Sequence, residues 1–163
     1  MAVQQLGGRT TTDDAEGEVV ERRPVRVARS QVEATLPRFI GAIRQTPPVY
    51  SALKRDGRPL YTYARAGETV EIEARTVQIH AIDLISFEND RLTLDVHCGK
   101  GTYIRALARD LGEALGCGAH LAALTRTASG GFQLQQALAL DEAEALGPSA
   151  LRSRLLPTDV LLQ

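Results

Sequence analysis

Tryptophan is absent, and aromatic residues make up only 4% of the chain. Against that scarcity the tyrosines stand out: three of the four, Tyr50, Tyr61 and Tyr63, fall within one short segment. The two cysteines, Cys98 and Cys117, have no metal-ligand spacing, and a single pair makes no disulfide framework. Each lies beside glycine in apolar surroundings, the usual setting of a buried free thiol. His80, His97 and His120 are dispersed, with no pair at metal-ligand spacing, so no metal is expected. There is no nucleophile elbow. No run is apolar and long enough for a signal peptide or membrane span, which places the chain in the cytoplasm.

With 163 residues, the chain can build one domain with a real core, and 44% apolar against 24% charged residues is ordinary for a globular protein. A net charge of −1 carries no overall nucleic-acid signature. The distribution says more. From Arg44 to Arg65 there are five cations (Arg44, Lys54, Arg55, Arg58, Arg65) against Asp56; from Ala66 to Gly99, two cations face seven acids. The basic stretch reads either as a solvated loop with core tyrosines or as a surface for unpaired bases and phosphates.

"MAVQQL" opens the chain as a short strand, followed by a polar loop from Gly7 to Gly17. "EVVERRPVRV" reads as strand, turn and strand. Ser30 with Glu33 predicts a capped helix through Val32, Leu36 and Phe39, shortened by Pro37. Pro47-Pro48 enforces extended backbone. Asp56-Gly57 centres a hairpin turn, and "LYTYARAG" predicts a short helix stopped by Gly67. Two-residue alternation from Thr69 to Gly99 predicts two strands joined at "ENDR". Ile104, Leu107, Ala108, Leu111 and Leu115 form one apolar helical stripe, with Thr102 as its cap and Gly116 as its stop. "GAHLAALTRTASGGFQL" reads as a shorter helix or turn leading into a strand, and "ALDEAEAL" as a last small helix. Period-two strands with few helices predict an antiparallel-rich α+β domain.

"CGKGTYIRALARDLG", Cys98 to Gly112, resembles a phosphate loop but fails the G-x-x-x-x-G-K-S/T spacing. Its backbone N–H groups at 101–103 could still meet an anion at the helix N-terminus. Arg105 is out of place there, because a cation in a helix's first turn opposes the dipole. It needs an acid, a phosphate or plain exposure. Tyr103 beside it is either packed or part of an open site.

"TPPVYSALKRDGRPLYTYARAGE" followed by "HCGKGTYIRALARDLGEALGCGAHLAALTRTASGGF" closely resembles the tRNA pseudouridine synthases of the TruB type, from "LGGRTTTDDAEGEVV" through "LDEAEAL". The resemblance implies a pseudouridine synthase fold, incomplete at the N-terminus. It implies isomerisation of a flipped T-loop uridine in the T-arm of tRNA, by an enzyme that works as a monomer without metal or organic cofactor. It also implies roles. Tyr103 lies against the target base, Arg105 orients the nucleophilic aspartate, Leu124 lines the base pocket, and Lys54 faces the tRNA. Residues 1–146 correspond to the C-terminal half of the catalytic domain, and 147–163 to a linker or the start of an RNA-binding region.

One departure matters. The family's nucleophile sits in a G-x-L-D-P-x-A-x-G stretch that these residues do not contain. Asp13 and Asp14 belong to the following "TTTDDAEG" loop and are not assigned that role. The chain as given is therefore expected to be inactive and, with a bared sheet edge, poorly soluble. The alternative is a tRNA-binding module without catalysis.

Overall fold

The computed structural model describes every residue except Asp56, Thr69, Thr158, Asp159 and 161–163. In chain order, β1 (Ala2–Leu6) leads into the hairpin β2 (Gly8–Thr10) and β3 (Val19–Arg22). Helix α1 (Arg29–Thr35) and a 3-10 turn (Leu36–Phe39) precede β4 (Gly41–Gln45). A small hairpin, β5 (Lys54–Arg55) and β6 (Arg58–Pro59), runs into α2 (Leu60–Arg65). Then come the long β7 (Arg75–Glu88), β8 (Arg91–Cys98), α3 (Ile104–Ala114) and β9 (Ala119–Leu124).

Five of these strands form one sheet in the order β4-β7-β8-β1-β9, antiparallel throughout. Alternation builds it: β1 buries Ala2, Gln4 and Leu6, and β8 buries Leu92 and Leu94, while the intervening residues face outward. The fold is α+β, as the strand pattern predicted. Met1–Thr125 forms one compact unit. A second, Arg126–Gln163, holds β10 (Ala128–Ser129), β11 (Phe132–Gln133), a 3-10 turn, α4 (Leu140–Ala145) and α5 (Pro148–Ser153).

Helix α3 covers the sheet. Leu107, Ala108 and Leu111 are fully buried, with Ile104 and Leu115 packed at the margins, so the predicted stripe is the observed one. Its neighbours include Leu6, Ile79, Leu92 and Leu94. Gly112 sits mid-helix, where glycine costs about 1 kcal/mol relative to alanine. Its reason is proximity: a Cβ there would collide with the backbone of Gly118 and Ala119, and Gly118 N–H donates to the Gly112 carbonyl at 2.9 Å. The loss of one methyl lets β9 close against the helix.

Several local expectations change. Ser30 lies inside α1; Ala28 is the cap residue, and the Gln31 side chain accepts its N–H at 2.7 Å. The 3-10 turn begins where Pro37 breaks the α-helical bonding. Only Val19–Arg22 of "EVVERRPVRV" is strand, because its pairing with β2 ends at the Gly8–Arg22 pair. "AHLAAL" is a strand, not a helix or turn, since it pairs with the whole of β1. A helix, α5, follows α4. The "ENDR" turn holds Asn89 and Asp90 at φ of 49° and 61°, the left-handed region that Asn and Asp tolerate. The predicted turn at Asp56-Gly57 joins β5 to β6, but Asp56 lies outside the described residues.

Candidate active site

Strand β8 ends at a turn built by glycine. Gly101 has φ of 82°, and the Thr102 hydroxyl donates to the Gly99 carbonyl at 2.9 Å. Thr102 therefore closes the turn, and Tyr103, without a side-chain bond, occupies the cap position. Tyr103 N–H donates to Gln45 Oε1 at 2.8 Å, and Gln45 Nε2 donates back to the Tyr103 carbonyl at 3.1 Å. Gln45 is 1% exposed. A buried amide thus grips both backbone groups of Tyr103, and that N–H is not open to an anion. Nothing in the local sequence marks Gln45, which lies 58 residues away.

Arg105, in the first turn of α3, has its counter-charge within the chain. Its guanidinium donates to Asp14 Oδ2 at 3.1 Å, to the Thr12 carbonyl at 3.1 Å and to the Tyr50 carbonyl at 2.8 Å. Asp14 Oδ1 accepts from the Thr12 hydroxyl at 2.5 Å and from Glu16 N–H at 3.1 Å. The acid demanded by a cation at a helix N-terminus is a residue that the sequence reading assigned only to a loop. Three of the five guanidinium N–H donors are engaged in these bonds, which leaves two for a further acceptor.

The neighbouring turn repeats the pattern. Arg109 donates to Asp13 Oδ2 at 2.8 Å, to Asp110 Oδ1 at 2.9 Å and to the Thr46 carbonyl at 2.8 Å. Burial pushes the Asp13 carboxyl above its usual range, and Arg109 offsets this only in part. Burial also works against the Arg109 charge, but Asp110 and Asp13 outweigh it and raise that group. At the base of the β2–β3 hairpin, Arg9 and Arg23 meet Glu21 and Glu113 in a ring of four charges, with contacts of 2.7–3.4 Å.

Leu124 stands at the end of β9, opposite Ala2, with half its surface exposed. Lys54 is exposed on β5 and, with Leu53, Leu60 and Glu71, lines a cavity of about 320 Å³. It lies four residues beyond Tyr50, whose carbonyl Arg105 holds. Of the basic segment's tyrosines, Tyr63 lies 4.3 Å from the Arg58 guanidinium and donates its hydroxyl to the Arg55 carbonyl at 3.1 Å. Tyr61, 37% exposed, lies 5.3 Å from that of Arg65. Both rings are thus on or near the surface, each beside one of the segment's own cations. Among the described residues, no group of three or more His, Cys, Asp or Glu is placed to hold a metal. No described helix is long and apolar enough to cross a membrane.

An antiparallel sheet, a helix laid on it, and an arginine at the helix start tied to a loop aspartate define the class: an α+β protein with a charged site where strand turns to helix. Residues 1–104 match the sequence profile of the TruB family pseudouridylate synthase N-terminal domain, and residues 105–163 that of the tRNA pseudouridylate synthase B C-terminal domain. The chain belongs to the TruB family of pseudouridylate synthases. It is 56% identical, over 99% of its length, to tRNA pseudouridine synthase B of Ectopseudomonas mendocina, and 56% identical over 96% to that of Stutzerimonas stutzeri. It spans about half of these curated relatives, 54% and 53% respectively. A chain of the crystallised Cbf5–Nop10–Gar1 complex superposes with a TM-score of 0.67 at 25% identity, over 96% of this chain and 40% of that one.

Proposed function

We propose that this chain is the base-facing portion of a tRNA pseudouridine synthase that isomerises a T-loop uridine. The observation that carries the reading is Arg105. The family motif places it in the first turn of α3, and three acceptors fix it there with donors to spare. In the reaction, Tyr103 lies against the flipped uracil, and base–aromatic stacking is worth roughly 1–3 kcal/mol. Leu124 lines the pocket, and Lys54 faces the tRNA backbone. Arg105 offers its remaining N–H groups to the nucleophilic carboxylate, keeping it ionised and aimed. Asp14 is not assigned that role, because it belongs to the "TTTDDAEG" loop and not to a G-x-L-D-P-x-A-x-G stretch.

No acid of these residues stands in a G-x-L-D-P-x-A-x-G stretch, so we propose that this chain by itself does not turn tRNA over; the alternative is a tRNA-binding module without catalysis. We further assign the full-length enzyme to the cytoplasm as a monomer, with residues 1–146 as the C-terminal half of the catalytic domain and 147–163 as a linker or the start of the RNA-binding region. Tritium release from C5-labelled uridine in tRNA is the test. A longer synthase carrying this segment releases tritium and loses that activity with Arg105→Ala, whereas the 163-residue chain releases none. Turnover by the short chain, abolished by changing one of its own acids, would overturn the assignment of roles.

A further inference from the structure

Arg105, Arg109 and Glu113 are spaced four residues apart, so they form one row along α3. The β2–β3 hairpin and its tip meet this row in register. Asp14 sits on Arg105, Asp13 on Arg109, and Arg9 and Arg23 on Glu113. Cation, cation, anion on the helix face anion, anion, cation on the hairpin. The first contact belongs to the site, and the last anchors the hairpin base. The middle one has no part in the reading above.

We propose that Arg109, clamped between Asp13 and the Thr46 carbonyl, is a positioning residue that sets the place of Arg105. The proposal rests on Arg105 being the organising cation of the site. Both arginines tie α3 to the same two segments: Arg105 bonds Thr12, Asp14 and Tyr50, and Arg109 bonds Asp13 and Thr46. Arg109 thus fixes, from one turn further along, each segment on which the Arg105 guanidinium depends. The hairpin tip is shaped for this. Neighbouring side chains on extended backbone point to opposite sides. Asp13 instead has φ of 62°, a conformation costly for a non-glycine residue, and both carboxylates reach one helix. The Arg109–Asp13 side chains are 18% and 16% exposed, more enclosed than Arg105 and Asp14 at 24% and 22%. Burial lifts the Asp13 carboxyl despite its partner, so the pair is a poor source of stability, and what it supplies is placement. Both residues line a cavity of about 390 Å³ with Thr46, Pro47 and Val49, so truncating Arg109 admits water.

The experiment reads Arg105 directly. In the 163-residue chain labelled with 15N-arginine, Arg105→Lys assigns the Arg105 Nε–Hε signal. Arg109→Ala and Asp13→Asn are expected to shift or broaden that signal, and to speed amide exchange at 11–14, 46 and 49–51 at least about tenfold, with the fold retained by circular dichroism. Arg109→Lys restores the signal only in part, since an ammonium cannot bridge three acceptors with one planar fork. In a full-length synthase carrying this segment, Arg109→Ala lowers kcat about tenfold with KM changed less than about twofold. If Arg109→Ala does not fold, the near-isosteric Asp13→Asn decides. An unchanged Arg105 signal and unchanged kcat in the folded variants overturn the proposal. The underlying reading fails separately, through undiminished tritium release by Arg105→Ala.

Discussion

Two regions that the resemblance assigns to the same tRNA are built on opposite plans. The strand–helix junction around Tyr103 and Arg105 is fixed by the chain's own groups. Gln45 holds the Tyr103 backbone, carbonyls and carboxylates hold the guanidiniums, and a salt-bridge ring anchors the hairpin base. The segment from Lys54 to Arg65 carries as much cationic and aromatic chemistry, but spends it locally. Arg58 and Arg65 lie by their neighbouring tyrosines, and Arg58 also meets Glu68 at 3.6 Å. Exposed ion pairs of this kind contribute at most about 1 kcal/mol. The lesson concerns where order is required. Chemistry on a base needs groups held within a fraction of an ångström. Backbone contact needs only charge within reach, and weak internal pairs can be exchanged for phosphate.

The sharpest way to break the contrast is at Gln45. Gln45→Ala removes two hydrogen bonds, strands the Tyr103 N–H and opens a cavity beneath β4. The expected loss is about 3 kcal/mol of stability, read as a lower denaturant midpoint. In a full-length synthase carrying this segment, kcat should fall more than tRNA affinity. If the variant is as stable as the parent, the junction is not rigid in the sense described.

Gln4 sharpens the contrast from the other side. It is fully buried on β1 between Leu92 and Leu121, and among the described residues neither its Nε2 nor its Oε1 has a hydrogen-bond partner. A buried amide without partners costs more than it returns, whereas an apolar side chain of similar volume does not. Gln4→Leu should therefore stabilise the chain by roughly 1 kcal/mol. A thermal melt checks it, and a lower midpoint would mean that the amide is satisfied in solution.

These residues also show what a sequence can disclose. Period alone made β7, β8 and α3 legible, because Leu92 and Leu94 or Leu107 and Leu111 repeat at the spacing their own element imposes. β9 was not, since the alanines of "AHLAAL" alternate weakly and the strand exists through its pairing with β1. Arg105 could be read as a cation in need of an anion, but not its partner, which lies 91 residues away. Asp13 with Arg109, 96 apart, and Gln45 with Tyr103, 58 apart, are hidden for the same reason. A polar side chain leaves no periodic trace of what it will bond. The motif resemblance identified Tyr103, Arg105, Leu124 and Lys54 as site candidates, but could not supply the supports that hold two of them.

The basic segment should respond in the reverse manner. Arg58→Ala removes a ring contact and an exposed pair, so its effect on stability should stay below about 1 kcal/mol. Its effect on tRNA should appear in the salt dependence. If Arg58 exchanges Tyr63 and Glu68 for a phosphate, the slope of log affinity against log salt becomes shallower by about 0.7–0.9, the worth of one contact. An unchanged slope would mean that Arg58 stays on its tyrosine, and that the segment is no softer than the junction.

The smallest effect concerns pH at Asp13. Burial raises its folded-state carboxyl, with Arg109, Asp110 and Arg105 the charged groups around it. The folded chain therefore holds that proton more tightly than the unfolded chain. By linkage, Asp13's contribution is fully present below its unfolded value, near 3.9, and is lost as pH rises through the folded one. Asp13→Asn cannot titrate, and its loss of the Arg109 contact adds an offset that does not vary with pH. Urea midpoints of parent and variant between about pH 4 and about pH 7 should then converge as pH rises if the offset is large, or diverge steadily in the variant's favour if it is small. Either way the parent-minus-variant difference falls with pH. A difference that rises instead would show that Arg109 outweighs burial, and that the clamp stabilises the fold as well as placing Arg105.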